Sequence, residues 1–150
     1  MHAFLRLAEP SPELKDWGIA VLRMVVGFTF LMHGWQKVFE VGFAGVGQMF
    51  TMMGAPLPEL TGPLIAVLEL IGGAALLLGL GTRWVAALLA VDMLAAILIA
   101  HLPHGFFAPM GFELPLVLFA GAAALALTGP GALALDRQIA QSREHAVLSR

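Results

Sequence analysis

The stretch WGIAVLRMVVGFTFLMHGWQKVF, Trp17 to Phe39, decides the fold. It meets the requirement of about 20 apolar residues for crossing roughly 30 Å of hydrocarbon, yet it carries Arg23, His33 and Lys37 inside or at its edge. An ionisable side chain at the bilayer centre costs about 2.5 to 3.5 kcal/mol on insertion scales, so such groups face protein or water and are functional candidates. Arg23, Gly27, Phe30, Gly34 and Lys37 recur at steps of four and three, which puts them on one helical face with His33 at its border. The two glycines on that face permit close approach by a neighbouring helix.

The rest of the chain agrees with a membrane setting. Of 150 residues, 59% are hydrophobic and 12% charged, and the mean hydropathy is +0.88, well outside the soluble globular norm. A net charge of -2 without a basic cluster gives no sign of a nucleic-acid partner. With no cysteine there is no disulfide, thiolate metal site or iron–sulfur cluster held by this chain. A redox role therefore requires a bound cofactor, a quinone or a partner subunit. Residues 1–16, with Arg6, Glu9, Pro10, Pro12, Glu13 and Lys15, are too polar to supply a signal peptide's apolar core, so the first span is expected to be retained.

The expected fold is an all-α membrane protein: one four-transmembrane-helix bundle with spans at 17–39, 60–80, 84–101 and 113–128 and a cytoplasmic tail at 131–150. Asp16 is expected to cap the first helix, with Trp17 as an interfacial anchor. Phe39, Phe43, Val46, Phe50 and Met53 fall at helical spacing before Pro56-Leu57-Pro58, predicting a short external interfacial helix between spans 1 and 2, either a filler or a lid. In the second span Glu69 sits on a small-residue stripe with Gly62, Ala66 and Gly73. Gly79-Leu80-Gly81 reads as a tight connection and not as a dinucleotide motif, since no strand precedes it. In the third span Asp92, Ala96 and Ala100 form a stripe. His101, nine residues beyond Asp92, falls on the opposite face unless the last turn unwinds.

With four spans, Arg6, Lys15, Arg23, Arg83, Arg137, Arg143 and Arg150 share one side and Lys37 alone lies on the other. That asymmetry puts both termini in the cytoplasm. At 1.5 Å per residue the polar groups form a ladder from the cytoplasmic end: Arg23 at roughly 8 Å, Asp92 roughly 12 Å, Glu69 roughly 18 Å and His33 roughly 22 Å, with Lys37, His101 and Glu113 near the outer edge. Arg23 and Asp92 are expected to form a structural intramembrane pair. Glu69, with His33 or Lys37, either fixes helix packing or serves proton transfer, a role for which a carboxyl in a low dielectric is suited. His33, His101 and His104 are candidates for a metal site, although their spacing is not diagnostic.

The pattern Leu22-Arg23, Gly27, Phe30-Leu31, His33-Gly34, Gln36-Lys37, then Glu69, Gly72-Gly73, Leu78-Gly79-Leu80, Thr82-Arg83, then His101, Gly105-Phe106-Phe107, Glu113, and finally Gly129-Pro130-Gly131 and Leu135-Asp136, resembles the DoxX family of small bacterial membrane proteins. The resemblance covers about residues 18–137. It implies a four-helix protein of the bacterial inner membrane associated with oxidoreductase systems. Such relatives include the membrane subunit of a thiosulfate:quinone oxidoreductase and a mycobacterial component of a complex that handles oxidative and thiol stress. Arg23, His33, Lys37, Glu69, His101 and Glu113 match the family's polar positions, whereas Asp92 stands where a less acidic residue is expected. A fold family alone does not define a reaction.

The leading expectation is an oxidoreductase subunit that binds quinone near the outer face, with Glu69 and His33 handling protons and Trp35, Lys37, His101 and Glu113 around the ligand. The alternatives are an anchor or assembly subunit without chemistry of its own, a metal- or haem-binding membrane protein, and a small proton pathway. Expected partners are the bilayer and membrane or soluble redox subunits, with homo-oligomerisation left open.

Overall fold

The computed structural model describes residues 11–148, with side chains described as far as residue 142. The polar segment 1–10, including Arg6, lies outside the described residues, as do Arg150 and the side chain of Arg143. Helix α1 spans Pro12–Trp35. Its cap is not Asp16 but Ser11, whose hydroxyl accepts from the Leu14 amide at 3.2 Å, with Pro12 at the first helical position. This is the Ser-Pro start that supplies an acceptor where an orphan amide needs one and places proline where no N–H is missed. Asp16 instead pairs with Arg137 at 2.7 Å.

The helix does not end near Phe39. It passes through a π-helical turn, Gln36–Val41, into α2, Gly42–Met52. Gly42 adopts φ 75°, a backbone conformation that side chains disfavour, and there the chain changes direction. The segment expected to lie on the membrane packs on its neighbour: Val46 and Gly47 of α2 are buried, and a Cβ on Gly62 would come within 3.2 Å of them. Helix α3 follows at Pro58–Leu78 and α4 at Thr82–Ala96. The latter continues through a π-helical turn, Ile97–His101, and a single 3-10 turn, Leu102–His104. Helix α5 spans Glu113–Thr128 and α6 spans Leu135–Leu148.

No strand occurs among the described residues. Three helical runs, Pro12–Met52, Pro58–Leu78 and Thr82–His104, are long and apolar enough to cross a membrane. Helix α5 occupies the residues of the expected fourth span, but its 16 residues reach only about 24 Å at 1.5 Å per residue, short of a full hydrocarbon core.

The glycine stripes read from the sequence are the seam between α1 and α3. A Cβ on Gly34 would run into the Leu70 backbone, one on Gly73 into the Leu31 backbone, and one on Gly27 would lie 2.9 Å from Leu76 Cβ. Without a hydrophobic driving force between helices in lipid, this close backbone approach supplies the packing energy. Val26, Phe30, Leu76, Leu89, Leu118 and Leu125 fill the core among α1, α3, α4 and α5. Phe28, Ile71, Leu88, Val91, Leu98 and Val117 point outward and are exposed, the surface that faces lipid.

Arg23 is 1% exposed, and its five N–H donors all have acceptors. They reach Leu76 O at 2.6 Å, Pro130 O at 2.8 Å, Leu133 O at 2.9 Å, and Leu77 O and Ala132 O at 3.0 Å. The expected pair with Asp92 is therefore absent. Carbonyls at the negative end of α3 satisfy the guanidinium instead, where the helix dipole favours a cation. Arg23 thus ties α1 to the end of α3 and to residues 130–133.

The tail is tied down as well. Asp136 accepts from the amides of Gly81 at 2.7 Å and Thr82 at 2.9 Å, capping α4 from a distant part of the chain. Partial burial opposes the charge on Asp136, but the Thr82 and Gly81 amides and the Arg23 guanidinium overcome this and hold its carboxyl below the usual carboxylate range.

Candidate functional site

At the end of the bundle away from Arg23, the helices enclose a cavity of about 570 Å³. Phe30 and His33 from α1, Glu69 from α3, Asp92 and Met93 from α4 and Leu118 from α5 line it, with Phe50 and Met53 from the α2 end and Pro109 and Gly111 from the loop before α5. The wall is largely apolar with a few converging polar groups, and its size falls in the range of small-molecule sites.

Glu69 is 2% exposed and forms an ion pair with Lys37, whose ammonium reaches its Oε2. Lys37 belongs to the first π-helical turn, one turn beyond His33, and its flexible stem brings the charge inward. Of the two partners that the sequence allowed for Glu69, the pair is made by Lys37. His33 is half-buried and lines the same cavity.

The ladder of depths collapses. Asp92 lies ten residues into α4 and Glu69 nine residues before the end of α3, about 15 and 14 Å from the shared end at 1.5 Å per residue. Both helix ends lie two residues earlier in the chain than expected, at Leu78 and Thr82, which shortens the distance to Glu69 and lengthens that to Asp92. The close approach of Gly34 to the Leu70 backbone then sets neighbouring His33 level with Glu69.

His101 joins this layer's outer edge through the second π-helical turn. Nine residues of regular helix would put it opposite Asp92. Widening one turn by a residue brings it round by about 100°, so Asp92 and His101 line one cavity. Its Nδ1 lies 2.8 Å from Met110 O in the loop before α5. Both π-helical turns thus deliver a cavity residue, Lys37 from one and His101 from the other.

Three expected site residues are placed elsewhere. Trp35 faces outward, 48% exposed, against Phe39 with ring centroids 4.3 Å apart and planes tilted by 42°, and lines a shallow apolar groove on the lipid-facing side of α1 and α3. It is one residue beyond Gly34, so the close α1–α3 contact turns it away. Glu113 accepts from the Ala108 amide at 3.1 Å and fastens the loop instead of lining the cavity. His104 is exposed beyond the 3-10 turn, and among the described residues no three His, Asp or Glu side chains come together as a metal site. The His33, His101 and His104 metal candidate is not assembled.

A family model described as DoxX matches residues 18–102, more than half the chain. The chain belongs to the DoxX family. Among relatives of this DoxX protein is the inner membrane protein YqjF of Escherichia coli, 38% identical over 129 residues, covering 83% of this chain and 94% of that protein. CatD of Bacillus subtilis, whose name assigns it provisionally to the oxidoreductases, is 36% identical over 132 residues, covering 88% and 94%. An uncharacterized membrane protein of Mycobacterium tuberculosis is 33% identical over 134 residues, covering 82% of each chain. No solved structure matches the chain significantly. The DoxX match includes Arg23, His33, Lys37, Glu69, Asp92 and His101 and stops before α5.

Two features escaped the sequence reading. The loop before α5 roofs the cavity through Pro109 and Gly111 and holds His101; no pattern in residues 105–112 announces this. The role of Asp136 had a usable signal. Gly81 occupies the cap position of α4 with no side chain to accept from the first amides, which calls for an acceptor from elsewhere.

Proposed function

We propose that this DoxX-family protein is a four-span subunit of an oxidoreductase system in the bacterial cytoplasmic membrane, which binds a quinone in the cavity near the outer face. The observation that carries this reading is the cavity of about 570 Å³ walled by Phe30, Phe50, Met53 and Met93 with Glu69, Lys37 and His33 grouped on one side. A ring with oxygens at its edge suits such an enclosure: the apolar wall takes the ring face, and His33 and Lys37 supply donors to a ring oxygen.

Reducing a quinone to its quinol requires two electrons and two protons. The chain contains no cysteine, and the electrons come from a redox partner. Its own contribution is to hold the ring, exclude bulk water and exchange protons through Glu69 and His33. The Lys37 pair keeps the Glu69 carboxylate aimed into the cavity.

Topology supports the placement. The start of α1, the α3–α4 turn and the segment after α5 meet at one end: Ala132 N donates to Asp16 O, and Asp136 caps α4. Arg83 also binds Ala126 O and Leu127 O at the end of α5. Helix α5 runs beside α4 from the end carrying Arg83 toward the cavity roof, and we take it as the fourth span. Lys15, Arg83 and Arg137 gather at the shared end, so that end faces the cytoplasm.

The test is binding of a short-tailed benzoquinone to protein in lipid nanodiscs. Saturable binding is expected, weakened at least tenfold by Glu69→Gln and by His33→Ala. Absence of binding by the unaltered protein refutes the reading and leaves an anchoring subunit whose partners carry all the chemistry.

A further inference from the structure

The lining of the cavity divides by exposure. Every polar member, Glu69 and Asp92 among them, is buried or half-buried, whereas the members that also reach the surface are Met53, Pro56, Ile99, Ala108, Pro109 and Leu114. The rim is therefore apolar throughout. A mouth opening onto water would set this rim against solvent at a free-energy cost; one opening into hydrocarbon carries no such cost.

The second observation is the depth of the roof. Arg83 binds Ala126 O and Leu127 O, which fixes the level of α5 against α4. Counting from there at 1.5 Å per residue, His101 stands about 27 Å along α4 but Glu113 only about 20 Å along α5. The loop 105–112 covers the difference of about 7 Å, inside the roughly 30 Å of hydrocarbon that the longer helices cross.

The loop is built for that depth. Phe107 is 78% exposed, and Phe106 and Met110 are exposed beside it. The amides of Gly105, Gly111, Phe112 and Glu113 donate to carbonyls within residues 102–107, and that of Ala108 donates to the Glu113 carboxylate. Pro109 has no amide hydrogen to satisfy. Non-helical backbone is tolerated at membrane depth only where its polar groups find such partners or are covered by protein. The exposed polar side chain of this stretch, His104, stands at the top of α4, where water begins.

We propose that loop 105–112 is immersed in the outer leaflet and that the cavity opens laterally into lipid, so that its ligand is drawn from molecules dissolved in the bilayer and not from the aqueous phase. The ligand class is one with an apolar body and a polar end small enough to pass the rim and meet Lys37 and Glu69. This rests on the four-span reading above and adds the route by which the site is reached.

The chain has no cysteine, so single-cysteine variants carry a nitroxide label at a chosen position. The full chain in nanodiscs is labelled through Phe107→Cys, Met110→Cys and Ile99→Cys, with Val117→Cys on the lipid-facing side of α5 and His104→Cys as references. Power saturation is read with oxygen, which concentrates in lipid, and with a water-soluble nickel chelate. Labels at Phe107, Met110 and Ile99 are expected to respond at least threefold more to oxygen than to the chelate, as at Val117, and the label at His104 in the opposite sense. A larger response to the chelate at Phe107 or Ile99, with oxygen dominant at Val117, overturns the lateral opening while the four spans stand. Chelate dominance at Val117 as well overturns the fourth span and this inference with it. No quinone enters the measurement, so its outcome is independent of the binding test above.

Discussion

Replacing Arg23 with methionine removes a buried cation and tests how this fold tolerates it. The five acceptors at 2.6 to 3.0 Å include one fully buried carbonyl, Leu76 O, and four that are partly buried. Leu76 O keeps the Gly79 amide at 3.0 Å when the guanidinium goes, and the other four acceptors are partly hydrated, so each lost bond costs nearer the net value of about 0.5 kcal/mol at the low end for an ordinary hydrogen bond. Together the five give about 2.5 kcal/mol. For a chain of this size about 2–4 °C accompanies each kcal/mol, so the melting midpoint should fall by about 7 °C. The assay is tryptophan fluorescence during thermal unfolding in detergent. Arg23→Lys, with three donors for five acceptors, should fall between the two. Asp92→Asn should shift the midpoint by less than about 2 °C on the same scale, because no hydrogen bond or ion pair is lost. A midpoint for Arg23→Met within about 3 °C of the unaltered protein, or a loss in Asp92→Asn equal to that of Arg23→Met, refutes the carbonyl-bound guanidinium.

Two further outcomes follow from the packing and the cap. Gly73→Ala forces a methyl into the Leu31 backbone and should cost at least about 3 kcal/mol, the upper end for overpacking. Gly18→Ala, where nothing lies within 4 Å, should instead stabilise the helix by about 0.5–1 kcal/mol; the two midpoints measured side by side check both. Asp136 is held below its unfolded value of about 3.9. Its contribution is thus complete above about pH 4 and is lost as pH falls through the lower folded value. The midpoint difference between unaltered protein and Asp136→Asn should be constant above about pH 5 and shrink below about pH 3; a difference that grows toward acid contradicts the trans cap.

Much of the architecture is legible in local patterns. The apolar runs, the Gly79–Gly81 turn and the small-residue stripes through Gly27, Gly34, Gly62 and Gly73 were readable because hydrophobicity and helical period are properties of neighbouring residues. The start of α5 at Glu113 and its stop at Thr128 were likewise marked by Pro115 and Gly129-Pro130-Gly131. The site was legible in membership more than in pairing. Glu69, Lys37, His33, Asp92 and His101 do meet at one cavity. Trp35 and Glu113 do not, and the sign that distinguishes them is a rotation of 100° per residue about helices whose phase the sequence did not reveal.

By itself the sequence determined that this chain is a membrane protein of the DoxX family, that its ionisable residues sit in apolar helices, and which helical faces pack. Only the tertiary structure decided the partners. Arg23 found carbonyls because the C-terminal end of α3 and residues 130–133 converge on it from distant parts of the chain. Lys37 found Glu69 because its side chain reaches back along the bundle. His101 came round to the side of Asp92 because one turn of α4 is wound with an extra residue. A side chain's partner depends on small displacements of helix ends and on the winding of single turns, which leave no trace in composition or period. That is why Asp92, assigned a partner from the sequence, stands in the folded protein with its inner oxygen unpaired.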